Sequence, residues 1–229
     1  MHLNQDIDAV IVDLDGTMVD TLGDFEAALN FMLADLPPPY AHHRVDRATV
    51  ARLVGKGSEH LIKSLLALID QAQAATNSVA IFGLAFARYQ HHYLAVNGQH
   101  AEVYPGVVAG LTQLKARGFR LACLTNKPTA FALALLKDKG LDGFFEFTFG
   151  GDSFERKKPD PLPLLKTCEA LGCAPQRTLM VGDSSNDAQA ARAAGCPVWL
   201  VTYGYNHGEP VHAVDADGFT DSLQNLMRA

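Results

Sequence analysis

Four short apolar runs along the chain indicate strands that are buried on both faces. They lie at residues 9–12, 120–125, 178–181 and 197–201, and none of them alternates apolar with polar residues. Continuous apolar runs of this length are typical of central strands in a parallel sheet. Helical segments separate the later runs, and repeated strand–helix units predict a doubly wound α/β fold. Closely spaced phenylalanines at 144–149 indicate a further strand edge or a core contact.

A long helical stretch separates the first predicted strand from the second. Its periodicity predicts four helices, with three prolines at 37–39 after the first of them and with Ser58 and Ser78 as N-caps. The predicted helices span residues 24–36, 47–54, 58–72 and 78–96. A helical insertion at this point predicts an α-helical cap domain at 20–98, over a catalytic core formed by 1–19 and 99–229.

The composition of the 229-residue chain favours an enzyme over a nucleic-acid-binding protein. Apolar residues make up 48% of the chain and the formal net charge is −6, whereas nucleic-acid binders usually carry a basic surface. The N-terminus lacks the basic start and apolar run of a signal peptide, and no apolar stretch approaches the ~18 residues of a membrane span. We therefore expect a cytoplasmic protein that binds neither membranes nor nucleic acid.

The spacing of the cysteines does not indicate a metal site or a disulfide framework. The four cysteines form no C-x-x-C pair and no compact framework, which favours ordinary thiols in a reducing compartment over a metal site or disulfides. They are Cys123, Cys168, Cys173 and Cys196.

Two carboxylates follow the first predicted strand directly. Asp13 and Asp15 lie two residues apart in the segment Asp-Leu-Asp-Gly-Thr, which ends at Gly16 and Thr17. Ligands of open α/β sheets bind outside the carboxyl ends of the strands, so both acids fall where a site is expected. Gly16 permits a tight turn and a close approach of backbone to ligand. Alternatively, the segment is an ordinary acidic turn after a strand.

A second acidic pair follows the strand predicted at 178–181. Asp183 comes just after that strand and Asp187 lies one helical turn later. Acids gathered at neighbouring strand ends repel one another unless a cation lies between them, and hard oxygen ligands favour Mg²⁺. Alternatively, Asp183 is an N-cap and Asp187 is a first-turn acid that interacts with the helix dipole.

Two further segments could hold an anion at the same edge. Thr125 and Asn126 end a predicted strand, where a hydroxyl and free backbone N–H groups can bind phosphate oxygens. Lys158 lies in a loop that leads to a helix, and the following proline restricts the backbone there. Either segment alone is a weak signal, but the four segments together lie in a consistent order relative to strands and helices.

These four segments resemble the motifs of the haloacid dehalogenase superfamily. The segments Thr-Tyr-Gly-Tyr-Asn at 202–206 and Lys-Lys-Pro at 157–159 resemble its bacterial phosphoglycolate phosphatases. The resemblance implies a Mg²⁺-dependent phosphatase that hydrolyses a small phosphorylated metabolite, foremost 2-phosphoglycolate to glycolate and phosphate. Another sugar or nucleotide monophosphate, a phosphosugar mutase and a receiver-like signalling module are the alternatives. A monomer or homodimer is expected.

The same resemblance implies roles for individual residues. Asp13 would be the nucleophile that forms an aspartyl-phosphate, and Asp15 the general acid and base. Thr125 and Lys158 would complete the catalytic set, while Asn126 and the backbone after Asp13 would hold phosphate oxygens. The implied substrate-binding residues include Gly16 and Thr17, and the implied metal ligands are Asp13, Asp15 (through its carbonyl), Asp183 and Asp187.

A glycine-flanked lysine is the candidate specificity element of the helical insertion. Gly55, Lys56 and Gly57 connect two predicted helices, and the glycines permit a tight loop that could project Lys56 towards the site. We hypothesise that Lys56 or the N–H groups of this loop bind a substrate carboxylate. A plain helix connector with a solvated lysine is the alternative.

Overall fold

The computed structural model describes residues 7–73 and 78–226, and eight strands lie within these ranges. Six of them form one sheet in which every neighbouring pair is parallel, and two form a separate antiparallel pair. In chain order they are β1 (Ala9–Val12), β2 (Val19–Asp20), β3 (Glu102–Val103), β4 (Arg120–Leu124), β5 (Phe147–Phe149), β6 (Thr178–Gly182), β7 (Val198–Val201) and β8 (Gly218–Thr220).

Helices connect the strands of the sheet and also fill the gap between β2 and β3. Those in the described ranges are α1 (Leu22–Ala34), α2 (Arg47–Leu53), α3 (Ser58–Gln73), α4 (Ser78–Val96), α5 (Val107–Ala116), α6 (Thr129–Asp138), α7 (Leu162–Leu171) and α8 (Ser185–Ala194). Across these same ranges, no helix has the length and apolar character that a membrane crossing requires.

The sheet is doubly wound, as predicted. Its strand order is β5-β4-β1-β6-β7-β8, so the first strand lies at the centre. All four residues of β1 are buried: Val10 and Val12 pack into a core with α5 and α6, and Ala9 and Ile11 pack into a second core with α7 and α8. Because both faces are covered, the strand has no polar positions, which explains the uninterrupted apolar run.

Strand register brings three chain segments level at one edge of the sheet. Val12 pairs with Cys123 of β4 on one side and with Val181 of β6 on the other. In parallel strands that are in register, the residues after each strand emerge together. The residues that follow β1, β4 and β6 therefore meet at the carboxyl edge.

The four helices between β2 and β3 pack around a hydrophobic cluster of their own. Each of their ends lies within two residues of the prediction, and Ser58 and Ser78, expected as N-caps, are instead the first residues of α3 and α4. The antiparallel pair β2–β3 joins this helical segment to the sheet. A cap domain bounded at residues 20 and 98 stays a prediction.

The cysteines are free thiols, as expected, and three of the four are buried. Cys123 lies in one core of the sheet, while Cys168 and Cys196 lie in the other.

Asp24 joins the beginning of the helical segment to its end. Its carboxylate is fully buried in α1 and accepts hydrogen bonds from the backbone N–H groups of Gly98 and His100, each at 2.7 Å. Gly98 follows α4 with a φ of 94°, a conformation that favours glycine. A charged acceptor for two backbone donors therefore holds the two connections between helices and sheet side by side.

We expect Asp24→Ala to lower the free energy of unfolding by about 2 kcal/mol, because it leaves two buried backbone donors without an acceptor. Urea denaturation monitored by circular dichroism measures the change. Glu26→Ala, on a less buried position of the same helix, is the matched control. Equal losses for the two variants would show that Asp24 contributes no more than helix propensity.

Candidate active site

Three buried polar residues begin where three adjacent strands end. Asp13 follows β1, Thr125 follows β4 and Asp183 follows β6, and each is at most 8% exposed. The backbone continues the ladder past the strands, since the Asp13 N–H donates to Val181 O at 2.9 Å. The sheet edge thus places two carboxylates and a hydroxyl in one cavity.

Lys158 reaches this edge from the loop before α7. Its ammonium donates to Asp187 Oδ1 and to the carbonyl of Leu124, each at 2.7 Å, and lies 3.0 Å from Asp13 Oδ1. The side chain is 2% exposed. Burial lowers the pKa of Lys158, but the Asp13 and Asp187 carboxylates outweigh burial, so the pKa is raised and the lysine stays charged.

Carboxylate oxygens of Asp13, Asp183 and Asp187 lie within 4.8 Å of one another, all buried. Burial raises the pKa of Asp13 to about 7; Lys158 opposes this rise, and Asp187 and Asp15 add to it. Burial and the carboxylates of Asp187 and Asp13 also raise the pKa of Asp183 well above its usual range. The cluster is therefore short of positive charge.

A divalent cation fits that deficit. Two buried lysines, Lys127 and Lys158, pair with acids of the site. The site holds four carboxylates, so two negative charges remain without a positive partner; the four are Asp13, Asp15, Asp183 and Asp187. Like charges about 4 Å apart repel by about 4 kcal/mol at an effective dielectric constant of 20. Closely spaced carboxylate oxygens, with no thiol or imidazole in the cluster, are a donor set for a hard cation such as Mg²⁺.

Asp187 is the most extensively hydrogen-bonded acid of this cluster. One of its oxygens accepts from Lys158, and the other accepts from the Ser184 hydroxyl at 2.9 Å and from two backbone N–H groups. Ser184 and Asp187 form the capping box of α8. Asp187 therefore orients Lys158 and the turn after β6, whether or not it also ligates a metal.

Gly16 and Thr17 shape the turn after β1. The N–H of Gly16 donates to Val19 O and that of Thr17 donates to Leu14 O, so both are used within the turn. Gly16 has a φ of 82°, and a Cβ atom there would lie 2.3 Å from an Asp183 oxygen. Neither residue is among those that line the cavity. Their observed contacts are structural: they let the turn approach Asp183.

Asn126 joins the site to the glycine-flanked loop. Its amide donates to the carbonyl of Lys158 at 2.8 Å and to that of Gly55 at 2.9 Å. Asn186 of α8 also donates to Gly55 O, at 3.1 Å. Both hydrogens of the Asn126 amide are thus engaged, so its side chain positions the loop and Lys158 and has no donor left for a phosphate oxygen.

The loop itself lines the cavity with its glycines and not with its lysine. Gly55 and Gly57 line the cavity, whereas Lys56 is exposed and is not among the lining residues. Both glycines have positive φ, 105° and 87°. The hypothesis that Lys56 binds substrate has no contact in this conformation to support it, and the backbone of the loop is the part that faces the site.

Lys127 is the charged residue of the site that sequence reasoning missed. Its side chain is 2% exposed, and its ammonium is 2.9 Å from Asp15 Oδ1 and 2.5 Å from the Tyr93 hydroxyl of α4. The ring of Phe25 lies 4.7 Å below the ammonium. The sequence did contain a signal for this role, because Lys127 directly follows Thr125 and Asn126 at a strand end that was already assigned to the site.

Comparisons with known proteins extend over the whole of this architecture. A family model described as haloacid dehalogenase-like hydrolase matches residues 7–195. The chain is 44% identical over 217 residues to a phosphoglycolate phosphatase of Thiobacillus denitrificans, covering 95% of this chain and 92% of the relative. It is 43% identical over 229 residues to a phosphoglycolate phosphatase of Nitrosospira multiformis, covering 100% of this chain and 97% of the relative. A crystal structure of a predicted phosphoglycolate phosphatase from Haemophilus somnus matches with a TM-score of 0.90 and 30% identity over 98% of both chains.

We expect the affinity for Mg²⁺ to fall by about tenfold per pH unit below about pH 7. The raised pKa of Asp13, about 7, means that its carboxyl group holds a proton below that pH when no metal is bound, so protons compete with the cation. Isothermal titration calorimetry from about pH 8 to about pH 6 measures the trend. Asp13→Asn, which cannot titrate, is the control and should have a flatter profile. A dissociation constant that is independent of pH would contradict the expectation.

Proposed function

The chain belongs to the haloacid dehalogenase-like hydrolases, and on that basis we propose that it is a Mg²⁺-dependent phosphatase whose preferred substrate is 2-phosphoglycolate. Relatives at 43% and 44% identity over nearly the full chain are named phosphoglycolate phosphatases, which supports the substrate. A cytoplasmic location and a monomeric or homodimeric state stay predictions.

One observation carries the chemical part of the proposal. A buried aspartate paired with a buried lysine, Asp13 with Lys158, lies two residues from a second aspartate that is held by a different lysine, Lys127. We assign the attack on phosphorus to the first carboxylate and the proton transfer to the leaving group to the second. Two carboxylates with different lysine partners can take different roles in one reaction.

In the first step we propose that an oxygen of Asp13 forms a bond to phosphorus while the bond from phosphorus to the ester oxygen breaks. Asp15 donates its proton to that ester oxygen, and glycolate leaves. In the second step Asp15 accepts a proton from water as the water oxygen attacks the aspartyl-phosphate, which frees Asp13 and releases phosphate. The Lys127 ammonium, 2.9 Å from Asp15 Oδ1, keeps the Asp15 carboxyl group in one orientation whether or not it carries the proton.

The remaining residues bind and neutralise the phosphate. Asp13, Asp183 and Asp187, with the backbone carbonyl of Asp15, would hold Mg²⁺, which when bound neutralises the acids and the phosphate and orients them. Lys158 supplies a second fixed positive charge, and the Thr125 hydroxyl and the backbone after Asp13 donate to phosphate oxygens. Phosphoryl transfer depends mainly on such positioning and charge neutralisation.

In this proposal Gly16, Thr17 and Asn126 do not bind the substrate directly but position the groups that do. Gly16 and Thr17 act by shaping the turn beside Asp183, and Asn126 acts by positioning Lys158 and the loop at Gly55.

Asp13→Asn should abolish turnover, because an amide cannot act as the nucleophile, and Asp15→Asn should lower kcat by about 10²- to 10⁴-fold. Steady-state phosphate release measures both effects. Asp142→Asn, on an exposed residue away from the site, is the control and should leave kcat unchanged. Near-normal activity of Asp13→Asn would rule out the covalent mechanism.

Phosphate release from 2-phosphoglycolate should require Mg²⁺, stop with chelator, and exceed release from sugar phosphates and nucleoside monophosphates by at least about tenfold in kcat/KM. A preference for another ester would leave the proposed mechanism unchanged but would show that the proposed substrate is wrong. Phosphoryl transfer to a second sugar position, identified from the products, would indicate a mutase. No turnover of any ester with Mg²⁺ present would contradict the enzyme proposal itself.

A further inference from the structure

Two buried tyrosines of α4 line the cavity that holds the proposed catalytic acids. Tyr89 and Tyr93 lie one helical turn apart with stacked rings, 5.3 Å between centroids, and both are at most 1% exposed. Both line the same cavity as Asp13 and Asp15. Neither the phosphate site nor the proton transfer described above uses them.

The hydroxyl of Tyr89 has no hydrogen-bond partner of normal geometry within residues 7–73 and 78–226. The Ser58 side chain lowers the pKa of Tyr89, which opposes the effect of burial only in part. Burial raises the pKa of both tyrosines well above their usual range, so each keeps its proton and remains a donor. A buried donor without an acceptor is costly unless a ligand supplies the acceptor.

Lys127 adds one further unused donor at the same place. Its ammonium carries three N–H bonds, and the contacts found among the described residues use two of them, with Asp15 and with Tyr93. Tyr93 accepts from Lys127, which leaves its own O–H free to donate. The two tyrosines and the lysine thus offer three hydrogens, and an anion with two oxygens could accept all of them.

The beginning of α3 faces the same space. Gly57 and Ser58 line the cavity, and the first bond of this 16-residue helix runs from Leu61 N to Gly57 O. The N–H groups before Leu61 therefore precede the helical ladder, and Gly57 has no side chain with which to cap them. The N-terminus of a helix favours negative charge for this reason.

We propose that Lys127, Tyr89, Tyr93 and the first turn of α3 bind the carboxylate of the substrate. This inference rests on the proposed function and names its specificity site. In 2-phosphoglycolate the carboxylate carbon is two bonds, about 2.5 Å, from the ester oxygen that Asp15 protonates. Lys127 lies 2.9 Å from Asp15, so a substrate whose ester oxygen reaches Asp15 brings its carboxylate to this lysine.

Lys56 is the competing candidate for the same role. It is exposed and lies outside the cavity lining, whereas Lys127 is buried and in contact with Asp15. If Lys127 binds the carboxylate, substitution of Lys127 should change the substrate preference. If Lys56 binds it, substitution of Lys56 should do so instead.

The test compares 2-phosphoglycolate with ethyl phosphate, in which a methyl group replaces the carboxylate. Tyr89→Phe removes one oxygen atom and should raise KM for 2-phosphoglycolate about tenfold, the effect of one lost hydrogen bond to a charged group. KM and kcat for ethyl phosphate should stay within about twofold of those of the unchanged protein, because the phosphate site and Asp15 are intact.

Lys127→Met provides a second, independent variant. It should lower kcat for both esters, because Asp15 loses its partner, and it should raise KM about tenfold or more for 2-phosphoglycolate alone. Lys56→Ala is the matched lysine control and should alter the ratio of the two kcat/KM values by less than about twofold. Circular dichroism and the thermal midpoint establish that each variant is folded.

The outcomes separate the inference from the function on which it rests. If the unchanged protein does not prefer 2-phosphoglycolate to ethyl phosphate, the proposed substrate is wrong. If it has that preference and Tyr89→Phe and Lys127→Met both retain it in full, the carboxylate site is wrong and the function stands. Loss of the preference in Lys56→Ala alone would assign the carboxylate to the glycine-flanked loop instead.

Discussion

The ammonium of Lys158 is the interaction on which the rest of the site depends. It joins the end of β1 through Asp13, the end of β4 through the carbonyl of Leu124, and α8 through Asp187. Burying this charge is costly, and only several well-placed oxygens offset the cost. Without it the acids at the sheet edge would repel one another and take up protons, and Asp13 would lose the ionised form that its proposed role as nucleophile requires.

Backbone packing around Asp183 is a second constraint on the site. The backbone can approach Asp183 and Asp187 this closely only at residues that have no side chain. A Cβ atom at Gly16 or Gly204 would lie within 2.3 Å of an Asp183 atom, and one at Gly182 would lie 2.3 Å from Asp187 Cγ. The Tyr205 N–H then donates to Asp183 at 2.7 Å. Glycine at these positions therefore determines how tightly a cation can be surrounded.

Much of the fold was predictable because it depends on local pattern. β1, β4, β6 and β7 are covered on both faces, so their apolar runs have no polar interruptions, and the four helices between β2 and β3 have clear periodicity. The short strands were harder to predict: β8 spans three residues, two of them partly exposed, and β2 and β3 span two residues each. Elements of that length owe their form to pairing partners rather than to their own residues.

The sequence by itself determined which residues follow the central strands, and therefore which acids, hydroxyl and lysine meet at the sheet edge, since parallel strands in register fix that meeting point. Only the tertiary structure decided which distant residues these side chains contact. Lys127 binds Tyr93, 34 positions away, and Asn126 binds Gly55, 71 positions away. Lys56 is exposed and is not among the residues that line the cavity. A pattern of apolar and polar positions reports the environment of each residue, but the packing of whole helices against the sheet decides which distant side chains come within bonding distance.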